Sequence, residues 1–238
     1  MLHWKKPSRE ETAAFLLAQS TESFPYPHVR ATYGKRNKEE LQQVFAKEKD
    51  PFEVEHHRML LGKGSETFYK AKEALATWKM FEVPWVELLY PDSPIREGET
   101  VGILILSMGV YTLSACRIIY TVDEGEEDCS ACQRFGFAYG TLPCHLVGGE
   151  DRFLIEWDRS DDSVWYERLS FSTPQHWLAK LGYPVARWYQ KHFAKDSDRA
   201  MFLRVNRLEG AGECEEEDVW GSEGPAMEGA GGGKAFDL

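Results

Sequence analysis

The stretch from Arg134 to Asp158, RFGFAYGTLPCHLVGGEDRFLIEWD, constrains the fold more than any other part of the chain. From Phe135 to Thr141, large and small residues alternate with a period of two. On a strand this places Phe135, Phe137, Tyr139 and Thr141 on one face and Gly136, Ala138 and Gly140 on the other. A face of Gly and Ala lets another element or a ligand approach the backbone closely. Packing of a C-terminal helix against that face is one reading, and the floor of a ligand site is the other. A turn follows, and Arg152 to Asp158 reads as the next strand.

The same logic orders the rest of the chain. Ser8-Arg-Glu-Glu11 after Pro7 is a capping box and predicts a short helix to about Gln19. Ser23 to Thr32, with Pro25 and Pro27, predicts an irregular arm, and Lys38 to Lys47 a short exposed helix. Phe52 to Leu61 reads as the first strand, broken by Gly62-Lys-Gly64. Ser65 then caps a helix from Glu66 to Phe81 that buries Phe68, Ala71, Leu75 and Trp78. A helix N-terminus of this kind can hold an anion, but the glycine spacing is not that of a phosphate-binding loop. Trp85 to Tyr90 is the next strand. Val101 to Cys116 contains no charge, yet its sixteen residues fall short of the ~20 that a spanning helix needs. Its Val, Ile, Tyr and Thr residues flank Ser107-Met-Gly109. They predict two buried strands, Thr100–Leu106 and Tyr111–Val122.

Asp123 to Gln133 reads as a polar loop, and Ser163 to Phe171 as the last strand. From Pro174 a long helical region presents Trp177, Leu178, Leu181, Val185, Trp188, Phe193, Phe202 and Val205, with an interruption expected at Gly182-Tyr-Pro184. The order is strand, helix, six strands, helix. A run of neighbouring strands favours antiparallel pairing. The expected fold is therefore α+β: a curved antiparallel sheet of about seven strands with a long C-terminal helix across its concave side. This helix-grip arrangement encloses an apolar cavity.

Charge divides the chain. Of 39 acidic and 28 basic residues, nine acids and one Lys fall between Leu208 and Leu238, together with eight Gly. That tail lacks the apolar surface needed to offset ordering and is expected to be disordered. Residues 1–50 form an N-terminal helix and arm, and residues 51–207 the helix-grip domain. Outside the tail the charges nearly balance, so no basic stripe invites nucleic acid. Five Cys without a regular framework suit a reducing compartment. MLHWKKPSREE lacks the apolar core of a secretory signal, so the expected location is intracellular.

Several residues stand out as site candidates. Glu167 alternates with Trp165, Leu169 and Phe171, and Arg58 with Val54, His56 and Leu60. If those faces are buried, both charges need partners, and they can meet at a polar end of the cavity. The alternative has both pointing outward. His145 and Glu150 flank the expected turn, where they serve as acid–base groups or fasten the turn. Cys129-x-x-Cys132 with Cys144-His145 offers zinc-ligand atoms, but not with the spacing of a zinc knuckle, so no metal or cofactor is assigned. Tyr139 and Thr141 of the sheet, and Trp177, Leu181 and Trp188 of the helix, complete the expected ligand-binding set.

Five blocks of sequence together resemble the DUF1990 (UPF0548) family, and most closely its plant members. They are His56-His-Arg58-Met-Leu-Leu-Gly62-Lys-Gly64; Ala74-x-x-x-Trp78; Phe135-Gly-Phe-Ala-Tyr-Gly140-Thr-Leu-Pro-Cys-His145 with Gly149-Glu150; Phe171-Ser-x-Pro174; and Lys191-His-Phe-Ala. The resemblance spans about Trp4 to Asn206. Cys144 stands where the pattern expects Gly, and the acidic tail has no counterpart in it. The family looks related to the START/Bet v 1-like superfamily, which implies the same helix-grip fold. It implies no reaction. A plant member's link to the chloroplast outer envelope implies a plastid-surface location as an alternative to the cytoplasm, with contact to a membrane surface. The function expected is non-catalytic binding of an apolar or amphipathic small molecule or lipid. The alternatives are a component of an outer-envelope channel, for which seven short strands and two amphipathic helices are a poor match, and an enzyme using the same cavity.

Overall fold

A computed structural model describes residues 1–49, 52–125, 131–145, 147–174 and 183–206. The N-terminal segment holds a two-residue strand β1 (Leu2–His3), helix α1 (Arg9–Gln19) and helix α2 (Lys38–Val44). Ser8 and Glu11 close the capping box of α1 in both directions. Then come β2 (Glu53–Lys63), α3 (Gly64–Ala76), β3 (Val86–Leu89), β4 (Thr100–Ser107), β5 (Val110–Glu124), β6 (Cys132–Thr141), β7 (Val147–Asp158), β8 (Ser163–Pro174) and α4 (Tyr183–Asn206). The sheet order is β2-β8-β7-β6-β5-β4-β3, antiparallel throughout, with β1 added to β5. The seven expected strands are all present, and β1 is an eighth.

One face of the sheet packs on α3, α4 and a 3-10 turn at Lys79–Phe81. Phe137, Phe153, Ile155, Trp157 and Tyr166 of the sheet meet Phe68, Leu75, Trp78, Met80 and Met201 there. This is the helix-grip arrangement. The opposite face is also covered in part. Phe24 and Tyr26 of the arm lie on it, with Leu41 of α2 and Phe45 at its C-terminal cap, over Val54, Leu169 and Phe171.

Several boundaries differ from expectation. Strand β2 runs on past a bulge through Gly62-Lys63, the expected break, and β5 and β6 extend into the expected 123–133 loop. Three further differences have identifiable reasons. Helix α3 stops at Ala76 because Trp78 adopts a left-handed conformation, φ 60°. That turn buries the indole and directs Nε1 to the Ser93 carbonyl at 2.8 Å. Ser65 lies inside α3, whose N-cap is Lys63 without a side-chain hydrogen bond. Strand β7 starts at Val147 rather than Arg152, since Gly148-Gly149 is paired strand, not turn. A Cβ on Gly149 would sit 1.9 Å from the Phe171 carbonyl oxygen, so glycine permits the close approach of β8. The hairpin between β4 and β5 turns at Met108 and Gly109, both at positive φ, as a two-residue hairpin requires.

The expected tail, 208–238, lies outside the described residues. No helix among the described residues is long and apolar enough to cross a membrane.

Candidate functional site

Between the concave face and α4 lies a cavity of about 410 Å³. Ile103 and Ile105 of β4, with Tyr139 and Thr141 of β6, form its sheet wall. Phe81, Trp85, Tyr189 and Phe193 form the opposite wall. Polar contacts hold helix α4 across the sheet. Trp85 Nε1 donates to Asp196 Oδ2 at 2.8 Å, Ser107 Oγ bonds the Tyr189 hydroxyl, and Tyr166 OH meets Ser197 Oγ at 2.9 Å.

The end formed by β7 and β8 is polar. Arg168 Nε donates to Asp151 Oδ1 at 3.0 Å, and the Tyr139 hydroxyl reaches Asp151 Oδ2 at 3.5 Å. The Arg168 guanidinium also lies over the Phe193 ring, 5.2 Å from its centroid. Arg168 is only 4% exposed, and among the described residues its Nη1 has no hydrogen-bond partner. Burial is the largest single influence and opposes this charge, but Asp151, Tyr139 and Tyr166 together outweigh it and hold the guanidinium above its ordinary range. Burial, reinforced by Asp151, raises the Tyr139 phenol well above its usual value, so it stays a hydrogen-bond donor. His145 accepts from Val147 N–H through Nδ1 at 3.2 Å, and burial pushes its pKa to about 4. Its neutral ring therefore carries the proton on Nε2. His57 lies opposite Arg168 in the β2–β8 register, and burial together with that cation lowers its pKa.

The expected site residues are divided by the sheet. Tyr139, Thr141 and His145 do line the cavity. Glu150 borders it, but its carboxylate turns to the other face, accepting from Arg30 N–H at 2.7 Å and Thr32 N–H at 3.3 Å. Burial raises the Glu150 pKa to about 7. Arg58, Trp165 and Glu167 are also on that other face. Arg58 and Glu167 do oppose one another in register, at 4.0 Å, but away from the cavity. The principal partner of Glu167 is Arg152, a buried ion pair whose guanidinium also donates to the Thr32 and Lys35 carbonyls. Arg58 instead pairs with Glu156 at 2.7 Å and covers the Trp165 ring. Trp177 and Leu181 lie outside the described residues, as do the side chains of Val185 and Trp188.

The small-residue face of β6 is a second correction. Neither α4 nor a ligand covers it: Phe24 packs on Ala138, and a Cβ on Gly140 would meet the Tyr26 hydroxyl at 2.0 Å. Of the zinc-type residues, Cys132 opens β6 and Cys144 follows its far end, some ~30 Å apart at strand rise. Cys129 lies outside the described residues.

Sequence reasoning missed Asp151, Arg168, Trp85 and Tyr189. The available signal for Arg168 was its phase: it alternates with Tyr166 and Ser170, the face opposite Glu167.

Among solved structures, the chain is similar to a hypothetical protein, jhp0584, of Helicobacter pylori, with a TM-score of 0.42 and 12% identity over 67% of this chain and 90% of that one. A UPF0548 protein of Dictyostelium discoideum is 40% identical over 215 residues, 86% of this chain and 96% of the relative. A UPF0548 protein of Arabidopsis thaliana is 35% identical over 205 residues, 86% and 98% respectively. The model of the domain of unknown function DUF1990 matches residues 32–200, most of the helix-grip sheet and much of α4. The chain therefore belongs to the DUF1990 family.

Proposed function

We propose that this protein is a non-catalytic binder that holds an apolar or amphipathic small molecule, or a lipid, in the cavity under α4. The carrying observation is the cavity itself. At about 410 Å³ it falls within the range of small-molecule sites, roughly 300–1,000 Å³. Its walls are largely Ile, Val, Phe, Trp and Tyr, with Asp151, Arg168 and His145 supplying the titratable polar groups and Ser107, Thr112 and Tyr189 supplying hydroxyls where β4 and β5 turn. An apolar body fits between Ile103, Ile105 and Phe193, with a polar group toward Arg168 and His145. The non-catalytic reading is supported by the scattering of the acid–base candidates. Arg58, Glu167 and the Glu150 carboxylate face away from His145.

The test is native mass spectrometry on protein purified without detergent. A discrete extra mass, released on denaturation and identified after extraction, is the expected result. A bare chain mass, with no uptake of added fatty alcohols or sterols, would overturn the proposal.

A further inference from the structure

The strands of the sheet end at two rims. One rim carries the β5–β6 and β7–β8 connections, with Asp123, Glu124, Asp158, Asp161 and Asp162. The other carries the β4–β5 turn, the β6–β7 connection, the end of β8, the added strand β1 and, at its far edge, the start of β2 with the half-buried Glu53 and Glu55. Away from that edge, residues 1–7, 106–113, 141–145, 147–149, 171–174 and 183–195 contain no acid, although the whole chain carries a net charge of −11. Lys5 and Lys191 are exposed in these stretches, and Lys6 pairs with Glu87 of β3 at 2.6 Å.

This second rim also exposes large apolar side chains: Trp4 is 85% exposed, Met108 82% and Leu2 69%. Leu2 pairs opposite Thr112, which lines the cavity, and the register of β1 carries the chain toward Val110 and the Met108 turn. Ser107, Thr141, His145 and Ser172 of the cavity wall come from the same strand ends. Indole, thioether and aliphatic groups beside unopposed lysines form the mixture that settles at a lipid headgroup boundary. The cations favour phosphate and the apolar groups enter the acyl edge.

We propose that this rim docks on an anionic lipid surface, with Trp4, Met108 and Leu2 entering the interface. Docking stands independently of the cavity reading. Where both hold, the cavity faces the bilayer and exchanges its ligand there.

The test is flotation of the full chain, tagged away from β1, with vesicles of phosphatidylcholine containing a minority of phosphatidylserine. The wild type is expected to float, and less so with phosphatidylcholine alone or at high salt. Trp4→Ser/Met108→Ser should lower the bound fraction about tenfold, and Lys5→Glu should weaken the serine-lipid preference. Both variants alter exposed side chains, and circular dichroism should show them folded. Failure of the wild type to float, or equal flotation of the double variant, overturns the proposal. So does a dimer that the double variant dissolves, since the rim would then belong to a second copy. Native masses of the same samples separate the two readings. Flotation of a chain that carries and takes up no ligand would leave docking standing and remove the cavity proposal.

Discussion

At the scale of single residues, Glu150 shows how burial sets both chemistry and stability. Its carboxylate is taken from water by the arm, and its pKa rises from 4.5 to about 7. The folded state therefore holds a proton between those values while the unfolded state has released it. Stability contributed by this group falls as pH rises from about 4.5 to 7 and is level above, a span on the order of 3 kcal/mol. Asp198, raised to about 6 by burial, acts in the same direction, and His145, lowered to about 4, acts in the opposite one. The whole-protein profile thus mixes signs, and the difference between wild type and Glu150→Gln isolates one. Urea denaturation should show the wild type losing stability relative to the variant across pH 4.5–7; a constant difference would contradict a neutral Glu150. Two glycines give a second comparison. Gly149→Ala should cost about 3 kcal/mol or more, because its Cβ would strike the backbone of β8. Gly140→Ala meets only the side chains of Tyr26, Ile119 and Phe24, and should cost less, about 1–2 kcal/mol, by displacing the arm. Equal losses would show that the arm is as rigid as the sheet.

At the scale of elements, the strands were readable and their faces were not. Alternation in Phe135–Thr141 and the uncharged run around Ser107-Met-Gly109 each specify a strand. Antiparallel order followed from the absence of intervening helices. The facing of β8 was lost because both its sides are buried: Tyr166 and Arg168 under α4, Leu169 and Phe171 under the arm and α2. A strand covered on both faces no longer shows a polar side. What covers the second face is an irregular, proline-containing segment without periodicity, and so without a sequence signal for where it packs. The arm is held by the Arg152–Glu167 pair through the Thr32 and Lys35 carbonyls. Arg152→Met leaves the buried Glu167 carboxylate with only His56 at 3.6 Å and Arg58 at 4.0 Å and is expected to cost about 3 kcal/mol, whereas Arg152→Met/Glu167→Leu should recover much of that loss. Hydrogen exchange supplies the location: in Arg152→Met the Arg30 and Thr32 amides should exchange faster, with β5–β6 protection kept. Additive losses in the cycle would mean that the two charges are held by other groups.

At the scale of the whole molecule, the two faces of the sheet divide the work. One face uses its buried charges to fix the arm: Glu150, Arg152 and Glu167 bond to backbone or to one another, and Arg152 Nε is left without a partner among the described residues. The other keeps a cavity and places Arg168 and Asp151 at its end. This division explains why the sequence pointed to Arg58, Glu150 and Glu167 as site residues. A charge amid apolar alternation marks burial, and burial occurs on both faces. Only the course of the arm tells which face is closed. The cavity can be tested without touching its polar end. Ile105 projects from β4 into it, opposite Thr112 and Val86, and is partly exposed, so a larger side chain has room to enter. Ile105→Trp should occupy the space that a ligand needs while changing stability by no more than about 1–2 kcal/mol. The expected outcome is loss of the extra mass in native spectra, with circular dichroism and the Gly149-dependent sheet stability retained. A variant that still carries the full ligand mass would move the binding site elsewhere. A variant that unfolds would instead show the space to be tightly packed core, closed to any ligand.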